Sequence, residues 1–429
     1  MQPINELSPE AGDRTWLTRI VAVERSEIAA LLASFGMFFA LLAAYYIVRP
    51  LRDDMGVTVG KDRIHELFTV VFFVMLGAVP FFGAVASRFP RRLVLPAIYA
   101  FFALNLAGFW LAFRIWGPTP VAAGVFFVWA SVFNLFVVSL FWSLMSELWS
   151  SGEAKRLYGF ISAGGTAGAL AGPLATQALI HMFAPRDLLL VSAALLIAAL
   201  TLSLVLRSLR AGHHADHEEL PAGGGILDGA RKVLSDPFFM RIALFVLLAN
   251  IVGTFFYMEQ SRLVGAAIPD SAERVRFFSA RDLTVSVFTL AIEIFGTAAV
   301  LRRFGVTAAL VALPVAAMAG TFALWATPLL WAVAAVMVVE RVTAFALASP
   351  AIKVMYTLAK PDEKYKVQSF VDTVVYRGGD ALSGWIYAAI GAGFASPLMP
   401  SIAVPLVLVW LWNARKLGGL YETKAAQES

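Results

Sequence analysis

The sequence predicts an all-α membrane protein in which twelve transmembrane helices form two halves of six. The chain has 429 residues, of which 59% are hydrophobic and 15% are charged, and its mean hydropathy is +0.76. This composition is too apolar for an ordinary soluble protein. Twelve apolar segments of the sequence each approach the roughly 20 residues that cross a hydrocarbon core as a helix. One long polar interruption, residues 208–236, separates the first six segments from the last six.

These features define three regions and an orientation. Residues 1–207 are predicted to form the N-terminal half, 208–236 a cytoplasmic linker and 237–429 the C-terminal half. Lys and Arg concentrate in connections on the side of the N-terminus, and the positive-inside rule therefore predicts that both termini are cytoplasmic. The first helix follows a polar flank of mixed charge and is expected to remain uncleaved. The segment limits are 26–48, 66–86, 93–114, 119–147, 158–183, 187–207, 237–258, 280–301, 305–326, 329–357, 367–392 and 397–413.

The composition also excludes several classes of protein. The chain contains no cysteine, so disulfides and thiolate metal sites are impossible. Its net charge of +5 follows from the basic connections on one side of the membrane and requires no nucleic-acid partner. The sequence shows no Ser/His or His/Asp arrangement typical of an enzyme, and no cofactor is expected. We therefore expect a monomeric, multi-pass transporter of a small solute, embedded in the lipid of a bacterial inner membrane.

The two halves repeat one another. The connection between segments 4 and 5 reads SELWSSGEAKRLYGF, and that between segments 10 and 11 reads TLAKPDEKYKVQSF. Each is a charged turn with a tyrosine between two long helices. The turn after segment 2, GAVASRFPRR, resembles the Gly-x-x-x-Asp-Arg-x-Gly-Arg-Arg signature of the major facilitator superfamily, with Ser87 in place of the acid. This resemblance implies a substrate site near the midplane between the halves and an alternating-access mechanism.

Glycines recur every four residues in segment 5, at Gly164, Gly168 and Gly172. Such a stripe of small residues lets two helix backbones approach closely. The ending Gly-x-x-x-Gly-Pro also resembles the segment 5 signature of facilitator antiporters, and both interpretations remain open.

Ionisable residues inside apolar segments are costly and mark functional positions or ion pairs. Arg49 and Arg52 are either a pair of guanidiniums for a phosphate or carboxylate or members of an exposed loop that pair with nearby acids. Asp372, Arg377 and Asp380 share about 140° of one helix face and predict either a cavity wall or a buried ion pair that fixes the packing of the halves. Three further candidates inside the segments are Glu293, which could carry a proton, and Glu340 and Arg341, which are expected to pair with neighbouring helices.

Three blocks of sequence resemble the ATP:ADP antiporter family of plastids and obligate intracellular bacteria. They read YYIVRPLRDDMGV, SLFWSLMSELWSSGEAKRLYGF and SPAIKVMYTLAKPDEKYKVQSFVDTVVYRGGD. The resemblance implies exchange of adenine nucleotides without a bound cofactor. It also implies that the family's functional residues correspond to Arg52, Glu147, Lys353, Asp372 and Arg377. This chain departs from the family at Gly253, where the family has an acid that Glu259 could replace, and at Asp380, where the family has a lysine.

Two sets of candidate residues follow. The candidates for substrate binding are Arg49, Arg52, Glu147, Lys353, Asp372 and Arg377. The candidates for coupling or gating are Asp53, Glu259, Glu293, Glu340, Arg341 and Asp380.

The charge balance leaves two transport mechanisms open. A nucleotide triphosphate brings about four negative charges into a partly dehydrated cavity and needs a surplus of basic groups, whereas these candidates are nearly balanced. The first hypothesis is exchange of nucleotides or another anionic phosphorylated solute. The alternative is a proton-coupled facilitator for an unrelated small organic solute, in which Glu293 or Asp372 takes part in coupling.

Overall fold

The protein is an all-helical bundle over the part of the chain that the structure describes. The computed structural model describes residues 23–60, 62–88, 91–211, 226–391, 393–396 and 398–428. The helices of the N-terminal half are α1 (Ile28–Val59), α2 (Ile64–Arg88), α3 (Arg91–Trp116), α4 (Pro120–Leu148), α5 (Ser151–Leu179) and α6 (Leu188–Leu209).

The C-terminal half begins with a short helix that lies within the predicted linker. Its helices are α7 (Ile226–Ser235), α8 (Pro237–Ala267), α9 (Ser271–Ile292), α10 (Ala298–Ala326), α11 (Leu330–Thr343), α12 (Ser349–Met355), α13 (Pro361–Phe370), α14 (Tyr376–Ile390) and α15 (Leu398–Glu428). Three π-helical turns join consecutive helices: Glu293–Thr297 joins α9 to α10, Ala344–Ala348 joins α11 to α12, and Val371–Val375 joins α13 to α14.

A helix lies over each of the twelve predicted segments. Among the described residues, eight helical stretches are long and apolar enough to cross a membrane. One of them, Ser271–Ala326, contains two predicted segments, and its continuity is interrupted at Gly305, whose φ is +79°. Glycine tolerates this left-handed conformation because it lacks a Cβ. The count of twelve membrane crossings stays a prediction.

The first helix is longer than the sequence predicts. Segment 1 was expected to end at residue 48, but α1 continues through Pro50 to Val59. Pro50 has no N–H, so the Tyr46 carbonyl lacks its normal intrahelical donor, but the helix is not broken there. The extension brings the charged residues between positions 49 and 54 into the bundle rather than into a loop.

Helices α1 and α5 pack with their backbones in close contact, as the glycine stripe predicts. A Cβ built on Gly164 or Gly168 would collide with the carbonyl oxygen of Phe35 or Phe39. A Cβ on Gly172 would lie 2.7 Å from the Cβ of Tyr46. The absence of side chains at these positions therefore sets the distance between α1 and α5, and with it the position of the charged part of α1.

We predict that Gly168→Ala destabilises the protein by about 2 kcal/mol, because the backbone of α1 would have to move to accommodate the methyl group. The measurement is thermal unfolding of the detergent-purified protein. Gly159→Ala is the matched control in the same helix, since a Cβ at Gly159 meets nothing within 4 Å. Equal stability of the two variants would contradict this account of the packing.

Candidate functional site

The two halves are held together at one end of the bundle. We call the end that carries the start of α1 and the α4–α5 connection the terminal end, and the end that carries the α1–α2 and α8–α9 connections the distal end. The principal contacts between the halves join α2 to α14 and join α9 to α1 and α5. Near the distal end, Trp385 Nε1 donates a hydrogen bond of 3.0 Å to Thr69 Oγ1, and Ser279 Oγ donates one of 2.9 Å to the Pro173 carbonyl.

Five ion pairs of the described residues lie at the terminal end, and each of them joins residues of one half. In the N-terminal half these pairs are Glu27–Arg156, Glu147–Arg207 and Glu153–Arg210, and in the C-terminal half they are Lys232–Glu363 and Asp236–Lys424. The bundle is therefore closed between the halves at the distal end, whereas these five pairs at the terminal end each join residues of one half.

A network of buried charges links the halves at the distal end. We call Arg49, Arg52, Asp53, Arg281 and Asp282 the distal network. Asp53 of α1 is fully buried and accepts hydrogen bonds of 2.7 Å from both Arg52 Nη2 and Arg281 Nη2. Arg281 of α9 also donates to Asp282 at 2.7 Å. One carboxylate of the N-terminal half thus holds an arginine of each half.

Further polar groups support this network. Tyr257 donates its hydroxyl proton to Asp53 at 3.2 Å, and Arg281 Nη1 donates to Gln260 Oε1 at 2.5 Å. Both partners lie on α8. The next acid of α1, Asp54, accepts from Arg274 and from Ser271 at 2.5 and 2.6 Å. Helices α8 and α9 therefore engage the outer part of α1 through hydrogen bonds as well as charge.

Arg49 is bound less completely than its neighbours. Its Nε lies 3.4 Å from Asp282 Oδ2, and both atoms are buried without a hydrogen-bond partner among the described residues. Its guanidinium also lies 5.5 Å from the centroid of the Tyr46 ring. A buried guanidinium in this state can still bind an acceptor, which makes Arg49 the member of the distal network best suited to contact a solute.

A second group of polar side chains lies in the C-terminal half. We call Glu340, Tyr376, Arg377 and Asp380 the central cluster. Arg377 Nη1 lies 3.3 Å from Asp380 Oδ2, and this carboxylate also accepts a hydrogen bond of 2.9 Å from Thr254. The predicted Arg377–Asp380 contact is therefore present, with Asp380 buried and the Arg377 side chain 22% exposed.

The acid nearest Gly253 is Glu340. A Cβ built on Gly253 would lie 3.3 Å from Glu340 Oε1, so the carboxylate of α11 occupies the space beside the α8 position at which the resemblance places an acid. Glu259, the alternative considered from the sequence, is fully buried and accepts hydrogen bonds from Arg262 and Tyr387 at 2.6 and 2.5 Å. It is engaged within the C-terminal half, near the distal end.

Glu340 has no ion-pair partner within 4.0 Å among the described residues. Its neighbour Arg341 is half-buried and projects about 100° away around the helix. Glu340 is therefore a carboxylate that can accept a proton or a cationic group from a solute.

A third group lies nearer the terminal end. It consists of Glu293, Lys353 and Asp372, and all three side chains are exposed. Glu293 and Asp372 belong to π-helical turns, and Thr297 Oγ1 donates a hydrogen bond of 2.7 Å to the Ala346 carbonyl of another π turn. Such turns often occur at functional sites, and here two of them each carry an acid.

The remaining predicted site residue, Glu147, lies apart from these groups. Arg207 of α6 donates hydrogen bonds of 2.9 and 3.2 Å to its two carboxylate oxygens. The adjacent α4–α5 turn is fixed by a capping box between Ser150 and Glu153. Burial raises the pKa of Glu153, but the backbone N–H of Ser150 and the guanidinium of Arg210 lower it by more, so the net pKa lies below its usual value. These contacts stabilise the terminal end of the N-terminal half.

The sequence analysis missed two members of the distal network. Arg281 and Asp282 lie just inside the predicted limit of segment 8, residues 280–301, and are almost fully buried. The rule that singled out Glu293 in the same segment applies equally to them.

The main cavity found among the described residues is separate from these charged groups. It has a volume of about 820 Å³, lies between α2, α3 and α4, and is lined almost wholly by apolar side chains, with Arg63 and Glu66 as its charged members. An apolar lining in a membrane protein is suited to lipid chains. We therefore base the candidate solute site on the distal network and the central cluster.

Two helical halves that are joined at one end and carry charged groups between them have the arrangement expected of a membrane transporter. The chain belongs to the Major Facilitator Superfamily, whose family model matches residues 28–384. It is an integral, multi-pass membrane protein. A search of curated proteins found no match.

Solved transporter structures share this fold over most of their length. A bacterial homologue of the human lysosomal transporter Spinster, in an inward-facing and unoccupied conformation, has a TM-score of 0.55 and 13% identity over 94% of this chain and 96% of that chain. The nucleoside transporter NupG has a TM-score of 0.56 and 14% identity over 94% and 99%. A POT family transporter in complex with a thioalcohol-conjugated peptide has a TM-score of 0.62 and 12% identity over 90% and 96%.

We predict that weakening the distal network opens the distal end. Because the chain has no cysteine, Tyr376→Cys supplies a single reactive thiol at the start of α14, the helix that packs on α2 of the other half. Adding Arg281→Gln should increase its labelling by a membrane-impermeant maleimide from the distal side by about tenfold, because Asp53 and Asp282 lose a buried partner, a loss that typically costs about 3–5 kcal/mol.

Arg276→Gln provides the control for this experiment. Arg276 also lies near the distal start of α9, but its contact with Glu273 is 3.9 Å long and solvent-exposed, so its loss should leave the labelling rate unchanged. An unchanged rate in the Arg281 variant, or an equal increase in both variants, would show that the distal network does not hold this end closed.

Proposed function

We propose that the protein is a secondary transporter that moves a small organic solute with an anionic group by alternating access. The observation that carries this proposal is the state of Arg49. It is a buried guanidinium between the halves, its Nε lacks a hydrogen-bond partner among the described residues, and its ionic contact with Asp282 of the opposite half is 3.4 Å long. An anionic group that reaches Arg49 competes with Asp282 for it.

This competition couples binding to conformational change. A solute enters from the terminal end, which by the positive-inside rule is the cytoplasmic end, and its anionic group binds Arg49. The contact between Arg49 and Asp282 then weakens, and α1 separates more readily from α9. Binding thus shifts the equilibrium towards a state that is open at the distal end. The size of the shift depends on how much more tightly the solute binds the open state than the closed one.

The specific form that the resemblance favours is exchange of nucleotides of the ATP/ADP type, or of another phosphorylated anion. We also propose that the chain crosses the membrane twelve times, with both termini in the cytoplasm. The protein is proposed to be a monomer in a bacterial inner membrane. Arg52, Lys353, Asp372 and Arg377 are the proposed accessory residues of the solute path. Arg377 and Lys353 are its cationic groups on the C-terminal half.

Proton-coupled transport of a small organic solute is a second candidate, and Glu340 favours it. This carboxylate lies beside Gly253 of α8 and has no ion-pair partner within 4.0 Å among the described residues. A carboxylate in such a place can gain and lose a proton during the cycle. Glu293 and Asp372 are further candidates for coupling.

Counterflow in proteoliposomes tests the proposed function. We expect external ATP, ADP or a small organic anion to release the same labelled compound from preloaded vesicles, and Arg49→Gln to reduce the initial rate by about tenfold or more, since hydrogen bonds to charged groups contribute about 1.5–3 kcal/mol. Arg276→Gln is expected to exchange at the wild-type rate. The proposed function is wrong if no compound of the anionic panel exchanges in vesicles that contain folded protein.

Uptake driven by a pH gradient distinguishes the second candidate. Proton coupling predicts that a protonophore abolishes accumulation and that Glu340→Gln removes its pH dependence while exchange at equal pH persists. Glu273→Gln, an exposed carboxylate in α9, is the matched control. Accumulation that is insensitive to the protonophore would exclude proton coupling.

A further inference from the structure

The distal network contains more positive than negative charge. Its three guanidiniums, of Arg49, Arg52 and Arg281, face two carboxylates, of Asp53 and Asp282. The other buried acid at this end of α1 has an arginine partner of its own. The surplus is one positive charge, and it resides at Arg49, whose Nε and nearest carboxylate oxygen are both without a hydrogen bond among the described residues.

The central cluster has the opposite balance. Arg377 and Asp380 form one ion pair, while Glu340 adds a carboxylate without such a partner in the described part of the chain. When both carboxylates are ionised, the surplus here is one negative charge. An uncompensated buried charge of either sign destabilises the protein unless a partner of opposite charge is bound. Each group is therefore completed by a ligand of the opposite charge.

One helix connects the two groups. On α8, a Cβ at Gly253 would lie 3.3 Å from Glu340 Oε1, and Thr254 donates a hydrogen bond of 2.9 Å to Asp380. Tyr257, about one turn further along α8, donates to Asp53 of the distal network at 3.2 Å. A small molecule can therefore extend from one group to the other.

We infer that the transported solute is zwitterionic and carries one anionic and one cationic group. This inference rests on the proposed function and narrows its class of solutes. The solute's carboxylate binds Arg49, and its ammonium binds Glu340. With both groups bound, the cluster on each side becomes neutral.

This distribution of charge disfavours a nucleotide. A nucleoside triphosphate brings about four negative charges, whereas the surplus at Arg49 is a single positive charge, and Glu340 would repel a second anionic group. A molecule of net charge zero matches both clusters. The spacing of its two charges must match the distance from Arg49 to Glu340, so chain length is expected to affect binding strongly.

Three matched series of probes test this inference. They are ω-amino acids with one to seven methylene groups, the corresponding carboxylates and the corresponding amines, and their effect on the melting temperature of the purified protein is measured by titration. At the best length, we expect the amino acid to reach half-saturation at about one tenth of the concentration that either analogue requires, because the second charged contact contributes at least about 1.4 kcal/mol. ATP and ADP, measured in parallel, should bind more weakly.

Substitution of Glu340 identifies the ammonium site. Glu340→Gln should abolish the advantage of the amino acid over the carboxylate, Glu340→Asp should retain part of it, and Glu273→Gln should leave it unchanged. The melting temperature of each variant without ligand reports whether it is folded. The inference is overturned if carboxylates or nucleotides bind as well as the amino acids, or if no amino acid of the series stabilises the protein.

The outcome of this binding experiment can be distinguished from the outcome of the exchange experiment that tests the proposed function. Binding and exchange of carboxylates or nucleotides alone would overturn the zwitterion while supporting an anion transporter. Failure of every compound, zwitterions included, to exchange in proteoliposomes would overturn both.

Discussion

The contact of Asp53 with two arginines is the interaction on which the distal closure depends. This fully buried carboxylate of α1 binds Arg52 of its own helix and Arg281 of α9, each at 2.7 Å. Charged groups lose their hydration free energy on burial. A buried ion pair offsets this loss only when it is well aligned and further hydrogen bonds satisfy the remaining donors and acceptors. Tyr257 and Gln260 of α8 supply those bonds. A transport cycle must separate these groups, so the opposite state must hydrate them or pair them differently.

The apolar contacts of α2 assist this closure. Ile64, Val71 and Met75 of α2 are buried in the core of the C-terminal half rather than in that of their own half, and His65 packs edge-on against Trp385 with ring centroids 4.4 Å apart. Because α2 packs on α14, a cavity of about 820 Å³ remains between α2 and its neighbours α3 and α4. The closed distal end and this lateral cavity are therefore two consequences of one position of α2.

The parts of the fold that could be predicted from the sequence are those encoded by local patterns. Apolar runs of membrane-spanning length predicted a helix over every segment, and the glycine stripe predicted a close helix contact because small side chains alone permit it. The stripe did not identify α1 as the partner, since that depends on the arrangement of the whole half. The π-helical turns at Glu293 and Asp372 had no signal in the sequence.

The site was predicted less completely because partner choice depends on which helices meet. The sequence identified Arg49 and Asp53 but not Arg281 and Asp282, which bind them from the other half. It also suggested Glu259 as the substitute for the acid missing at Gly253, whereas the carboxylate beside Gly253 is that of Glu340 from a different helix. Spacing along one helix predicts contacts at three or four residues, and contacts between helices require their relative positions.

The separation of charge between the two halves bears on the choice between exchange and net transport. When the halves approach each other, water leaves the space between them, and an uncompensated charge there becomes more costly as the effective dielectric constant falls. An empty carrier would pass through this dehydrated state with the positive charge of Arg49 and the negative charge of Glu340 uncompensated. A bound solute that neutralises these surpluses lowers that barrier, so the loaded carrier changes state faster than the empty one. On the proposed function, the same electrostatics that select the solute therefore favour exchange over one-way transport.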